Sequence, residues 1–526
     1  MTSLVCDVVV VGSGAAGATL AATLAERGAG RIVLLEKGPH YDKHFFDQRE
    51  LDMSVLRAER GGRRTEDGAF PVQSGECVGG GTTVNFALCF DPLPAVWGGW
   101  RHEHGVSGFS FATSASDYGV PGLNLGNALA EVRRRIDVSP APDWGINDNN
   151  RLFARGARRR GVAVKRFELN MKGCVGSGFC GQGCSYDAKR GTLVTYVPDA
   201  LRHGVQLVHH CDVERVRIES RNGTPTATGI IASVRPTVQG SLPNSVAPGA
   251  LAIRARLVVL AAGAVGTPVI LQRSGYPDRD DVVGRGVVLH PSLPVGGVFD
   301  RKLQNYRNIT GTFYSDAFRD GHSFVLECLF DHPVDTALAI PSFGRAHYDF
   351  MRDYEKLAGF GVMLIDEANR ENRVRWDAAA KAPAIRYALG ERDKERLRFG
   401  ARTAVEIMLA AGARAAFLTS DERLDRPEGA VFRHPREAAA CARLTFRPHS
   451  TLLASAHVQA SAKMGADPRR SVTNARGETH HVRDLIVCDA SSFPTSCGAN
   501  PMLAIMTMAR YQGLRIAAER QRYAVE

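Results

Sequence analysis

The sequence predicts an α/β fold in two interleaved parts, and three observations carry that prediction. An apolar run, Cys6 to Val11, passes through Gly12-Ser13-Gly14-Ala15-Ala16-Gly17 into an alanine-rich stretch, Ala18 to Arg27. Far downstream a second apolar run, Leu257 to Leu260, enters Ala262-Gly263 and a second helix. Both fit a Rossmann-like sheet of parallel strands buried on two faces. From Val295 to Phe446 the pattern changes to short alternating strands and one helix near Asp393 to Ala411. That segment fits an α+β domain built on an antiparallel sheet.

A chain of 526 residues, 44% hydrophobic, has enough apolar surface for a large core and two or more domains. Its net charge of +11 sits largely on arginine groups such as Arg133-Arg134-Arg135 and Arg158-Arg159-Arg160. No aromatic residues interleave with them, so they read as solvated helix faces, and no nucleic-acid partner is expected. No basic and apolar leader precedes the first strand, and Leu257 to Leu271 is interrupted by Gly263, Gly266 and Pro268. No integral membrane segment is expected, and the cytoplasm is the default compartment. Eleven cysteines, an odd number, argue against a fully paired disulfide framework.

In chain order, the first strand and Gly-x-Gly-x-x-Gly turn are followed by a second strand, Arg31 to Leu35, ending at Glu36-Lys37. Gly12 permits the tight turn, Gly14 lets a pyrophosphate approach the backbone, and Gly17 lets helix and strand pack closely. Free N–H groups at the helix start suit the phosphates, and Glu36 can accept from a ribose hydroxyl. Residues Gly38 to Arg64 are polar and aperiodic, as in an extended loop or lid. A second glycine-rich turn follows, Cys77-Val78-Gly79-Gly80-Gly81-Thr82-Thr83-Val84-Asn85. It can bring backbone close to a flat ring system with Asn85 at the ring edge, or serve only as a loop with positive φ.

Residues Asp91 to Asn170 abandon the βαβ rhythm, with amphipathic helices near Ala128 to Ile136 and Asn150 to Arg160, and read as the start of an inserted second domain. Next, Cys174, Cys180 and Cys184 are spaced C-x5-C-x3-C among glycines. Three thiolates on such a loop can ligate a three-iron cluster, [3Fe-4S]. A disulfide, an incomplete zinc site or a loop without a ligand remain the alternatives. Strands follow at Val205 to Val208 and Val213 to Ile218. The last residues return to the first domain through His457 to Gly465, the strand Leu485 to Val487, the turn Asp489-Ala490-Ser491-Ser492 and a helix after Asn500.

Taken together, the turns at Gly12 to Gly17 and Gly79 to Asn85, the run Gly263 to Pro268 with Ser274-Gly275, Val283-Gly284-Arg285 to His290-Pro291, and the blocks around His457 and Asn500-Pro501 resemble the glucose-methanol-choline (GMC) flavin oxidoreductases. The C-terminal block looks most like long-chain alcohol oxidases, then cholesterol oxidases. The resemblance implies FAD held by a discontinuous domain of residues 1–90, 185–293 and 450–526. The substrate domain would then comprise 91–184 and 294–449, with the cysteine-rich loop 173–184. It implies cofactor contacts at Gly12, Ser13, Gly14, Ala15, Ala16, Gly17, Glu36, Lys37, Gly80, Gly81, Thr82, Asn85, Val213, Ala262, Gly263, Asp489, Ala490, Asn500, Pro501 and Met502. Two departures stand out. The family usually has glycine where this chain has Ala460, and an acid where it has Leu289. The cysteine spacing resembles that of FAD-dependent glucose dehydrogenase subunits, which carry a three-iron cluster and pass electrons to a cytochrome.

The implied chemistry is oxidation of an alcohol to a carbonyl, with hydride transfer to flavin N5. A neutral imidazole is a suitable base for the hydroxyl proton, which assigns His457. A carboxamide can orient the substrate oxygen without competing for the proton, which assigns Asn500. An apolar alcohol, long-chain or sterol-like, is expected, with O2 or an electron-acceptor protein such as a cytochrome taking the electrons. A non-redox protein resembling the hydroxynitrile lyases of the family, and a sugar dehydrogenase wired through an Fe-S cluster, are the alternatives. His449 is a second-choice histidine outside the matching block.

Overall fold

A computed structural model describes residues 2–340 and 342–525. The strand Thr2–Val11 lies inside a seven-stranded sheet because Val8 to Val11 present apolar side chains to both faces, each at most 4% exposed. Its register is parallel on both sides, with Val8 to Val11 opposite Ile32 to Leu35 and opposite Leu257 to Leu260. Gln206–Val208 extends the parallel part beyond Ile32–Leu35. The long strand Gly249–Leu260 changes partner along its length. Its first half pairs antiparallel with Thr224–Val234, and Val258 to Leu260 pair parallel with Leu485 to Val487. Cys211–Arg221 closes that edge.

Alternate residues of the central strand feed two separate cores. Val8 and Val10 meet the helices Gly17–Glu26 and Met502–Ala518, while Val9 and Val11 face the side carrying Val213, Ile230 and Ile270. The first core also takes Trp97 and Trp100 from the helix Pro94–His104, and Ala128 and Val132 from Leu125–Arg135. Those two helices fall in the segment that the sequence groups with a second domain. Their apolar stripes are instead buried on the nucleotide-type sheet, because the closing helix gives them a matching face.

The second sheet has seven strands in the order Val431–Phe432, Ala415–Leu418, Ser292–Val298, Leu357–Leu364, Phe324–Glu327, Phe313–Ser315 and Lys165–Arg166. Each pairing is antiparallel, as the short alternating strands predict. One face is covered by Asp148–Arg159 and Glu391–Ala410, which contribute Phe153, Leu397, Ala404 and Met408 to its core. The two helices cross closely: a Cβ on Gly156 would lie 2.2 Å from the carbonyl oxygen of Ile407.

Candidate active site

The first glycine turn is shaped by backbone approach. A Cβ on Gly12, whose φ is +101°, would fall 2.3 Å from the carbonyl oxygen of Ala261, and one on Gly17 would fall 1.8 Å from that of Gly12. Gly14 differs, because the nearest atom to its Cβ position is Gly80 Cα at 3.8 Å. The two glycine turns, 66 residues apart, therefore face each other as bare backbone. Ser13 pins them: its hydroxyl accepts from the Gly79 N–H at 3.1 Å and donates to Glu36 Oε2 at 2.6 Å. Glu36 also accepts from the N–H groups of Ser13 and Gly38, and burial raises its pKa above the usual carboxylate value. Ala15 and Ala16 lead into the helix Gly17–Glu26, which has no capping side chain and no acid in its first turn. Its N-terminal N–H groups are thus suited to an anion.

Several of the other residues that the sequence assigns to the cofactor are tied to one another or to these turns by hydrogen bonds. Gly81 and Thr82 open the short helix Gly81–Val84, where the Thr82 hydroxyl donates to the Gly79 carbonyl at 2.7 Å. Asn85 donates to Met502 Sδ at 2.9 Å, which ties the second glycine turn to the start of the final helix, where Pro501 is the N-cap. Val213 is buried on a strand whose first residue, Cys211, donates its N–H to the Glu36 carbonyl. Asp489 accepts from the Gly263 N–H at 2.9 Å, the Thr267 hydroxyl at 2.6 Å and the Ser491 N–H at 2.7 Å. It thereby fixes the Ala262-Gly263 turn to Ala490 and its neighbours. Lys37 is exposed and ion-paired with Glu76.

His457 lies upstream of Asp489 in the closing segment. Its N–H donates to the Ser455 hydroxyl at 3.3 Å, and its carbonyl accepts from the Gln459 amide at 3.1 Å. Burial lowers its pKa from 6.5 to about 4, so the imidazole is neutral at pH 7, and its Nδ1 has no hydrogen-bond partner. The loop bearing Asn500 is tied to this turn, because Cys497 donates its N–H to Gln459 Oε1 at 3.0 Å. Asn500 is buried, its Oδ1 is unpartnered, and its Nδ2 donates to Glu327 Oε2 at 3.4 Å.

Two neighbours were not assigned by sequence. Glu327 ends a strand of the second sheet, is 5% exposed, and is pushed up to about 7 by burial, with Oε1 unpartnered. A lone acid after Phe-Val-Leu carries no local signal of a site; only its burial beside Asn500 reveals it. His290 lies edge-on to His457 with ring centroids 5.6 Å apart. Its Nε2 lies within hydrogen-bond distance of the Ser496 hydroxyl and of the Gln459 amide, and its pKa falls well below the ordinary value through burial. His449 lies elsewhere, exposed beside Gly68.

The departures from the family pattern are accommodated locally. Ala460 adopts φ +69°, a left-handed conformation that glycine takes without strain, and its N–H is held by the Ala490 carbonyl. Beside Leu289 an acid is supplied from elsewhere in the chain: Asp366, just beyond the strand Leu357–Leu364, accepts the N–H groups of both Leu289 and His290.

The three-iron cluster at Cys174, Cys180 and Cys184 is not supported. The three residues line one small cavity, but among the described residues no group of three or more His, Cys, Asp or Glu side chains is arranged to hold a metal ion. Burial raises the thiol pKa of Cys174 and pushes that of Cys180 up to about 12. The buried Lys189 beside them donates to the carbonyls of Thr83, Asn85 and Cys180, which holds the cysteine loop against the second glycine turn.

Family models described as GMC oxidoreductase match residues 6–292 and 368–509. Long-chain-alcohol oxidases FAO1 and FAO3 of Arabidopsis thaliana are 26% and 27% identical over 97% of this chain. The chain spans 66% and 68% of their lengths. A 6'''-hydroxyparomomycin C oxidase of Streptomyces lividus is 25% identical over 98% of the chain and 92% of its own length. Among solved structures, pyridoxine 4-oxidase from Mesorbium loti superposes with a TM-score of 0.65 at 17% identity, covering 98% of this chain and 99% of that one. A formate oxidase superposes with a TM-score of 0.70 at 15% identity, covering 99% and 100%.

Proposed function

The chain belongs to the GMC oxidoreductase family, and from that premise we propose that it oxidises an apolar, long-chain or sterol-like alcohol to the carbonyl, with FAD as cofactor and dioxygen as electron acceptor. The observation that carries the reading is the pairing of a neutral imidazole, His457, with a buried carboxamide, Asn500, on loops bonded to one another. Each has an unpartnered polar atom, Nδ1 and Oδ1. Buried orphans of this kind cost about 1–3 kcal/mol each unless a ligand satisfies them. The relatives' names supply the substrate class, long-chain alcohols.

The residues fit FAD. The facing glycine turns leave a backbone-lined cradle that a Cβ at Gly80 would begin to fill, and the uncapped helix at Gly17 provides phosphate donors. We assign the pyrophosphate to Gly12 through Gly17, a ribose to Glu36, and the ring system to Gly80 through Asn85 with Asn500 through Met502. When bound, FAD supplies the hydride acceptor. The protein groups do the rest. His457 accepts the hydroxyl proton, which its low basicity permits only as the hydride departs. Asn500 fixes the substrate oxygen, and Glu327 orients the Asn500 amide. Residues 1–90, 185–293 and 450–526 form the cofactor domain in this reading, and 91–184 with 294–449 the substrate domain, with the first of these packed partly on the cofactor sheet.

Anaerobic mixing of the FAD-loaded protein with dodecan-1-ol tests the proposal. Bleaching of the flavin's visible absorbance, followed by stoichiometric hydrogen peroxide when oxygen is admitted, is expected. A flavin that stays oxidised would support a lyase-like role instead. The sugar-dehydrogenase route rests on the three cysteines sharing a cavity, and anaerobically prepared protein lacking iron and acid-labile sulfide eliminates it.

A further inference from the structure

The turn at His290 is held by an unusual set of bonds. His290 has φ +52°, in the left-handed region that only a small share of non-glycine residues occupy. Asp366, which follows the strand Leu357–Leu364 of the antiparallel sheet, is 3% exposed. Its Oδ1 accepts the His290 N–H at 2.9 Å, and its Oδ2 accepts the Leu289 N–H at 2.9 Å and the Tyr387 hydroxyl at 2.7 Å. One carboxylate thus clamps two successive peptide groups. A carboxylate can accept at both oxygens at once, whereas a carboxamide has a single acceptor oxygen and would turn an N–H donor toward one of the two peptides.

The clamp has an address in the site. The backbone it holds carries the imidazole whose Nε2 bonds the Ser496 hydroxyl and the Gln459 amide, and whose ring stands edge-on to His457. The Leu289 carbonyl accepts the Ser455 hydroxyl, which in turn receives the His457 N–H. Two routes, one through each clamped residue, therefore lead from Asp366 to His457. We propose that Asp366 is a positioning residue for the reaction: by clamping Leu289 and His290 it sets the His457 imidazole from the substrate side of the molecule. The proposal rests on the assignment of His457 as the base.

The groups around the carboxylate define its pH behaviour. Tyr387 faces it from beyond the strand Ala382–Arg386, and Asp393 faces it from the helix Glu391–Ala410, itself paired with Arg396 and bonded to the Glu367 N–H. His290 is neutral. Burial raises Asp366 to about 6, against the lowering effect of its three donors. Protonation below that pH leaves one oxygen as a hydroxyl and weakens one arm of the clamp. The base, with a pKa of about 4, still remains neutral in that window.

The test uses holoenzyme. Flavin reduction by dodecan-1-ol is measured across pH in the wild type, Asp366→Asn and Tyr387→Phe, alongside a crystal structure of FAD-loaded Asp366→Asn. The variant is expected to keep FAD and to reduce it at least about tenfold more slowly well above pH 6, as mispositioned groups do. The component of the wild-type acid limb near pH 6 should vanish in Asp366→Asn, leaving the limb set by His457. Glu327 is present in both proteins, so the difference between the profiles isolates Asp366. Tyr387→Phe keeps both peptide bonds to the carboxylate, so its loss should be smaller, about two- to threefold, and its limb near pH 6 should persist. In the crystal, His290 should leave the left-handed region and lose Ser496. An unchanged rate and limb, or an unmoved His290, overturns the proposal. If even the wild type fails to bleach its flavin, the alcohol reading falls, while the His290 conformation still decides the clamp.

Discussion

At the residue scale, His457 differs from a solvent histidine in that burial, rather than a charged partner, sets its basicity. Replacing it with Ala removes the proposed proton acceptor and none of the cradle. FAD should remain bound while anaerobic flavin reduction falls by about 10²–10⁴-fold, read by stopped flow. Reduction within a few-fold of wild type would refute the assignment. His457 and Asn500 could be proposed from sequence because both sit in short stretches with recognisable spacing. Glu327 and Asp366 could not, because an isolated acid at the end of an apolar strand looks the same whether it points to solvent or into a site. Ala460 carries a related lesson. The sequence showed a missing glycine, but only the backbone shows that alanine there is held at φ +69° by a bond to Ala490.

At the scale of elements, two glycine turns are brought face to face by the packing of a parallel sheet. A Cβ at Gly80, where φ is +51°, would lie 2.8 Å from Gly14 Cα. Gly80→Ala should therefore weaken FAD binding by about tenfold or more, through both strain and lost space, measured by titration of apoprotein with FAD. Gly28, with φ +64° but nothing within 4 Å of its Cβ position, is the control, where alanine should leave FAD affinity unchanged. Each turn was readable alone from its glycine spacing. Their juxtaposition was not, because it depends on strands that pair only after the chain has folded. The helices Pro94–His104 and Leu125–Arg135 show the same limit: amphipathic stripes were visible, yet which sheet would receive them was not.

At the scale of the whole molecule, cofactor and fold are linked, since the proposed FAD contacts come from the first 90 residues, the middle and the stretch from Asp489 to Met502 near the end of the sequence. Ligand at 100 times its Kd stabilises by about 2.7 kcal/mol. FAD should raise Tm by several degrees and slow proteolysis of segments on either side of the cradle; an unshifted Tm with saturating FAD would contradict the assigned contacts. The alternation of apolar runs made both sheets readable, while the order of their strands depended on contacts hundreds of residues apart. One of those contacts bears on how the protein is made. Val258 to Leu260 gain their outer parallel neighbour only from Leu485 to Val487, some 225 residues later. A nascent chain emerging from the ribosome at about 5–20 residues per second leaves that hydrophobic edge unpaired for roughly 10–45 seconds. Chaperone demand, and the fate of any ribosome that stalls before residue 485, follow from the lateness of three residues.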